Sequence, residues 1–196
     1  MRKLRTAILI SGRGSNMMAL VAAARAAEYP AEIVCVVSNA ADAKGLEFAA
    51  ANGIATRVID HKAFASREAF EAALDAYLRS MNVEAIALAG FMRVLTAGFI
   101  SGWDGRMINI HPSLLPAYKG LHTHERAIAD GASLHGCSVH LVTPELDGGP
   151  VLLQAEVPVL PEDTAEVLAA RVLTEEHRIY PQALALLSHR IIAETP

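Results

Sequence analysis

Cysteine, aromatic side chains and long apolar runs are all scarce in this chain, and each scarcity removes a class of protein. Only two of its 196 residues are cysteines. Cys35 and Cys137 lie far apart, each in an apolar stretch and neither in a Cys-x-x-Cys pair. They read as small buried hydrophobes, not as a disulfide frame or zinc ligands, and suit a reducing cytoplasmic setting. No uninterrupted apolar stretch reaches the about 20 residues that a membrane-crossing helix needs. The basic opening Met1–Arg2–Lys3–Leu4–Arg5 is followed by apolar Ala7–Ile10, but Ser11–Gly12–Arg13–Gly14 ends that run too early for an export signal. Aromatics make up 5% of the chain and the formal net charge is −4, with no stripe of Lys and Arg interleaved with rings. A nucleic-acid partner, which would ask for a clustered basic surface, is not expected, and neither is a membrane.

What is present is apolar and well mixed: 53% hydrophobic and 19% charged residues describe one folded domain of ordinary composition. A chain this long buries about 70% of its unfolded surface, so it needs no covalent staple. Short apolar runs at Ala7–Ile10, Ile33–Val37, Arg57–Ile59, Ala85–Ala89 and Met107–Ile110 alternate with longer Ala-rich amphipathic segments. Continuous apolar character predicts strands covered on both faces, hence an α/β, Rossmann-like architecture: a mostly parallel sheet with helices on both sides. Helices are predicted over Asn16–Ala27, Gly45–Asn52, Ser66–Ser80 and Thr123–Ala129. In the third, Phe70, Leu74, Tyr77 and Leu78 form the apolar face, with Arg67, Glu68, Glu71 and Asp75 around the other side. Cys137–Val142 and Val151–Val157, joined across a Gly-Gly turn, predict late antiparallel strands. Thr164–Leu187 predicts one long C-terminal helix, started by Asp163 or Thr164 and bent near Pro181. No repeat or linker divides the chain.

Three segments carry chemistry. In Met107–Ile108–Asn109–Ile110–His111–Pro112, the period of an extended chain points Asn109 and His111 to one face and the isoleucines to the other. Pro112 and Pro116 then force an irregular loop beside an amide donor and an imidazole, as at a pocket edge. Alternatively, Asn109 caps a turn and His111 is a hydrogen-bonded core histidine. In the second segment, the first predicted strand runs through Ser11–Gly12–Arg13–Gly14–Ser15–Asn16 into a helix, where free amides favour a phosphate and a plain tight turn is the alternative. Met17 stands where a dinucleotide fingerprint has its third glycine, and Ser38–Asn39 offers no ribose-binding acid, which weakens a dehydrogenase reading. In the third, Leu146–Asp147–Gly148–Gly149–Pro150 builds an irregular turn with a carboxylate at its mouth; beside His111 it would favour the charged ring, and otherwise it is a turn residue. His122, His124, His135 and His140 lack both the zincin spacing and a Cys/His pattern, so no metal is expected. They read as loop or supporting histidines, with His122 and His124 close enough to Gly120 to line the same cleft. Met92–Arg93–Val94–Leu95 is either an ordinary strand exit or an apolar wall for a flat ring.

In their order and spacing these segments closely resemble the folate-dependent formyltransferase family, in its phosphoribosylglycinamide branch. The resemblance runs from Ile8–Asn16 through Ser38–Asn39, Ser66–Glu68, Ala89–Arg93, Asn109–Pro116, Gly120–His124, Leu146–Pro150 and Glu176–His177 to Tyr180–Pro181. It implies a single formyltransferase domain over 1–196, with a phosphate-binding N-terminal half and a folate-binding C-terminal half. It further implies a catalytic trio of Asn109, His111 and Asp147, and Gly14, Ser15, Asn16 and Glu176 as the residues holding glycinamide ribonucleotide. On the formylfolate side it implies Arg67, Met92, Arg93, Val94, Leu95, Asn109, Thr143, Pro144, Glu145 and Leu146. The co-substrate is then 10-formyltetrahydrofolate, with no metal, and the reaction is formyl transfer in de novo purine synthesis. A homodimer is compatible with the sequence and not required by it.

The family's neighbours supply the competing expectations. Formyltetrahydrofolate deformylase resembles this domain but usually carries an N-terminal regulatory domain, and the methionyl-tRNA enzyme adds a C-terminal domain and must hold RNA. Length and acidity argue against both. A non-catalytic nucleotide-binding module is the third alternative. Arg13, at a variable position, and the early end at Pro196 depart from the family pattern without touching the trio.

Overall fold

The computed structural model describes residues 2–194. Pro196, named above for an expected departure from the family pattern, lies outside them. The elements are β1 (Leu4–Ile10), α1 (Ser15–Ala24), β2 (Ala31–Ser38), α2 (Gly45–Ala51), β3 (Ala55–Val58), α3 (Arg67–Ser80), β4 (Ala85–Leu88), α4 (Ala97–Ser101), β5 (Met107–His111), α5 (Thr123–Ala129), β6 (Leu134–Leu141), β7 (Val151–Pro158) and α6 (Ala165–Glu194). They form a seven-stranded sheet in the order β3-β2-β1-β4-β5-β6-β7. The first five strands pair in parallel, and β6 and β7 are added antiparallel.

Parity along the parallel strands explains why they read as unbroken apolar runs. In β1, Leu4, Ile8 and Ile10 enter one core with α1 and α6, while Ala7 and Leu9 enter the other with Phe70, Leu74 and Leu78 of α3. Both faces of the central strands β1, β4 and β5 are therefore largely dry, and most of their positions need an apolar side chain whichever way they point. By contrast β3, expected to be covered on both faces, is an edge strand exposed along its whole length. The same division places Ile108 and Ile110 of β5 against Tyr180 and Leu184 of α6, and Met107 against Trp103 and Phe99.

Helix α6 binds the layers together. Leu168, Val172, Ile179, Tyr180, Ala183, Leu184, Leu187 and Ile191 form its buried stripe, which carries the helix to Glu194, beyond the expected end at Leu187. Thr164 caps it by accepting from Val167 N, whereas Asp163 is taken by a two-pronged ion pair with Arg171 at 2.6 and 2.8 Å. Pro181 sits inside this helix, and its carbonyl accepts the Tyr29 hydroxyl at 2.7 Å.

Two local expectations need correction. Glu71 is not on the solvent side of α3 but buried, because its carboxylate accepts from Thr96 N at 2.7 Å and from the Thr96 hydroxyl. The short α4 and a 3-10 turn at His61–Ala63 were not anticipated, since one or two helical turns are too brief to show a period. Both cysteines are buried and unpaired, and burial pushes their thiols up, to about 11 for Cys35 and about 12 for Cys137. Among the described residues no helix is long and apolar enough to cross a membrane.

The Tyr180 hydroxyl, with no exposed surface, donates to Leu88 O at 2.8 Å and lies 3.3 Å from Ile108 O, where the paired strands β4 and β5 meet α6. Tyr180→Phe strands buried acceptors at little cost in volume, so it is expected to lower unfolding free energy by about 1–2 kcal/mol. The urea midpoint measures this, and an unchanged midpoint would contradict the packing role.

Candidate active site

The strand order reverses between β1 and β4, and in an open α/β sheet the crevice beyond the strand ends at such a reversal is where ligands gather. Here the loop after β1 and the loop after β4 face each other across a cavity of about 230 Å³ lined by Ser11–Asn16, Ala89, Gly90 and Met92. Gly14 is left-handed at φ 72°, which turns the chain sharply into α1 without a side-chain cap on the helix amides. Its backbone is backed by Gly45, whose N–H donates to Gly12 O at 3.1 Å. Behind the loop, Asn16 Nδ2 donates to Glu176 Oε2 at 2.6 Å, bringing together residues that are distant in sequence. Burial pushes the Glu176 carboxyl up, and the Asn16 bond opposes this. Free amides at a helix start make a cradle for an anion, whereas the predicted Glu176 is buried behind Asn16 and lines neither cavity.

A second cavity of about 450 Å³ opens on the other side of Met92. Its apolar walls come from Leu88, Phe91–Leu95, Ile100, Leu121 and the segment Val142–Leu146, and its polar end from Asn109, His111, His140 and Asp147. The predicted Met92, Arg93, Val94, Leu95, Asn109, Thr143, Pro144, Glu145 and Leu146 all line it, but Arg67, exposed at the start of α3, does not. His122 and His124 do not line it either, because left-handed Tyr118 and His122 turn the loop so that Gly120 and Leu121 face the cavity instead.

At the polar end the three predicted catalytic residues converge. Asn109 and His111 share the face that alternation required, and the turn after Val142 brings Asp147 over them. Gly149 makes that turn feasible: a Cβ there would lie 1.8 Å from the Leu141 carbonyl oxygen. Asp147 is itself left-handed at φ 49°, a conformation that short polar side chains tolerate. Its carboxylate accepts from Gly120 N at 2.9 Å and lies 3.5 Å from His111 Nδ1, with both the aspartate and histidine side chains 7% exposed. His111 Nε2 faces the Tyr118 carbonyl at 3.0 Å. With an acceptor opposite each ring nitrogen, the geometry suits the doubly protonated, cationic imidazole.

His140, one of the four histidines read above as loop or supporting residues, is the one that joins this cluster. It pairs directly across the antiparallel ladder from Asn109, and its Nε2 lies 3.2 Å from Asn109 Nδ2 while its Nδ1 faces the Leu141 carbonyl at 2.9 Å. These contacts assign the proton to Nδ1 and leave Nε2 to accept the Asn109 amide. Burial lowers the basicity of His140, with the Leu141 carbonyl and Asp147 opposing, which agrees with a neutral ring. Its 3.6 Å approach to Asp147 is therefore not an ion pair. Its supporting role was among the expectations, but its partner was not, because only the strand register sets it opposite Asn109. Among the described residues no three His, Cys, Asp or Glu side chains gather as a metal site.

The fold and this site define an α/β enzyme of the Rossmann-like class, with an acid–base cluster beside two ligand cavities that share a wall. The formyl transferase profile matches residues 4–184, and the chain belongs to the formyl transferase family. It is 49% identical over 178 residues to the phosphoribosylglycinamide formyltransferase of Escherichia coli strain K12, covering 91% of this chain and 84% of that protein. The solved phosphoribosylglycinamide formyltransferase of Brucella melitensis superposes with a TM-score of 0.92 at 56% identity, over 95% of this chain and 96% of the other. The human trifunctional purine biosynthetic protein adenosine-3 is 45% identical over 187 residues, but those span 95% of this chain and only 18% of that protein.

Buried His135 and its half-buried neighbour His124 generate a pH prediction. His135 Nε2 lies 3.1 Å from His124 Nδ1, and burial pushes His135 down to about 4 and lowers His124 as well. The unfolded chain takes up these protons near pH 6.5 and the folded chain resists them. Stability from His135 is thus unaffected above pH 6.5, falls by up to about tenfold in folding equilibrium per pH unit below it, and levels off near pH 4. Urea titrations between pH 8 and 5 are expected to show this decline, and a shallower one for His135→Gln; identical slopes would refute it.

Proposed function

We propose that this protein transfers the formyl group of 10-formyltetrahydrofolate to the amine of glycinamide ribonucleotide in purine synthesis, as the names of its relatives suggest. The observation that carries the reading is the cluster of half-buried Asn109 with the enclosed side chains of His111 and Asp147 at the polar end of an apolar cavity, next to an anion cradle. Gly14, Ser15, Asn16 and Glu176 hold the ribonucleotide in this reading, the helix amides taking its phosphate and the carboxylate a ribose hydroxyl. Met92–Leu95 and Thr143–Leu146 flank the folate, and exposed Arg67 meets its outer, acidic end. The domain occupies the whole chain, works without a metal and in the cytoplasm, and engages neither nucleic acid nor membrane.

Transfer needs a new bond from the substrate nitrogen to the formyl carbon, loss of the bond from that carbon to folate N10, and passage of a proton from the amine to N10. Between these events the formyl oxygen carries negative charge. The Asn109 amide has two N–H groups, of which His140 takes one and the other can face that oxygen. His111 Nδ1–H, 3.5 Å from Asp147 and so only loosely held, is the second donor. Such donors act strongly because they are fixed before charge appears. The Asp147 carboxylate favours the cationic ring and, directly or through water, helps move the proton.

Asn109→Ala and His111→Ala are each expected to lower kcat by about 10²–10³ with a smaller change in KM, since each removes a donor used at the transition state. Asp147→Asn is expected to cost at least about tenfold in kcat. Near-normal turnover in all three would defeat the assignment. The reaction class has its own readout: folate product forming only when the amine is added means transfer, whereas formate released without it means hydrolysis. Binding without turnover would mean a nucleotide sensor.

A further inference from the structure

The two cavities are joined by one hydroxyl. Ser11, half-buried at the end of β1, lines the smaller cavity, and its Oγ donates to Asn39 Oδ1 at 2.5 Å. That bond uses the only hydrogen the hydroxyl has. Its lone pair is then free to accept Met92 N, 2.8 Å away. Asn39 is buried, and its Nδ2 donates to His61 Nδ1 at 3.2 Å, so the direction of the Ser11 hydroxyl is set from behind. Met92 lines both cavities, and Arg93, Val94 and Leu95 continue as the wall of the larger one.

The far end of that wall is held differently. Thr96 N and its hydroxyl are bound by buried Glu71, and Thr96 in turn caps α4 by accepting from Phe99 N at 3.3 Å. At the near end, Gly90 is left-handed at φ 74° with open space where a Cβ would stand, so its glycine serves the turn and not a tight fit. The 92–96 segment is thus clamped at Thr96 by an anchor remote from the smaller cavity, pivots at Gly90, and is held at Met92 by a residue of the anion-binding loop. A ligand that orders the Ser11–Asn16 loop must also order the Met92 end of the wall.

We propose that Ser11 is a positioning residue that couples the two cavities, so that a phosphate-bearing ligand in the smaller one tightens folate binding in the larger one, and the reverse. The proposal rests on the functional reading above for its choice of ligands. Coupling between sites is reciprocal, and its usual size is about 5–150-fold in affinity. Merely structural damage from a Ser11 substitution would weaken either ligand without altering the ratio of affinities measured with and without the other.

The test is calorimetric titration of the protein with an unreactive folate, its transferable carbon joined through carbon in place of nitrogen, with and without saturating glycinamide ribonucleotide, and then in the reverse order. Wild type is expected to bind each ligand at least about fivefold more tightly in the presence of the other. Ser11→Ala is expected to bring that ratio within about twofold of one, and Ser11→Thr, which keeps the hydroxyl, to restore it. Asn39→Ala releases the hydroxyl's direction without removing it, and a reduced ratio there supports the tie even if Ser11→Ala does not fold. A wild-type ratio of one, or an undiminished ratio in Ser11→Ala and Asn39→Ala, overturns the proposal. Wild-type turnover separates the two readings: coupled binding without formyl transfer sinks the function and spares the tie, and transfer with uncoupled binding does the opposite.

Discussion

A carboxylate enclosed by protein is costly to keep charged unless donors surround it, and the Asp147 side chain meets that condition with one backbone N–H and one facing imidazole. The rest of the site is arranged around this charge. Gly120 donates to it, so the loop after β5 is drawn in over the cavity; His111 faces it, so the ring stands with its other nitrogen on the Tyr118 carbonyl. That loop carries the chain from His111 to α5, and one carboxylate therefore fixes both the orientation of the imidazole and the path of the segment covering it. His140, neutral because burial outweighs the nearby carboxylate, can accept the Asn109 amide and hold it for donation toward the cavity.

The sheet makes this cluster possible by combining two kinds of pairing. Parallel strands through β5 bring the anion loop and the Gly90 loop to one edge, which is where the smaller cavity forms. The antiparallel β6 then reverses direction, returns His140 opposite Asn109, and lets the next turn place Asp147 at the same end. Tyr180, reaching from α6 to carbonyls of β4 and β5, holds the layers together beneath the cavities.

Much of the fold was legible because its rules are local. Parallel strands buried on both faces had to be apolar throughout, and α5 fell at Thr123–Ala129 as its sequence indicated. The short α4 escaped notice because five residues complete barely more than one turn. Glu71 was misplaced for a different reason: helical periodicity assigns a charge to solvent unless a partner awaits it, and the Thr96 that satisfies this carboxylate is 25 residues away. His122 and His124 were drawn toward the cleft by nearness to Gly120, but backbone turns at Tyr118 and His122 give that place to Leu121.

The sequence by itself determined which residues could share a face, since a strand's period of two aligns Asn109 with His111, and which turns had to be tight, since Gly149 admits no side chain against the Leu141 carbonyl. Tertiary structure alone decided who meets whom across long separations: Asn16 with Glu176, His140 with Asn109, Ser11 with Met92. The reason is the range of the forces. Periodicity and backbone sterics act over a few residues and are written in neighbouring letters, whereas register, burial and the pairing of enclosed polar groups depend on the closed shape of the whole chain.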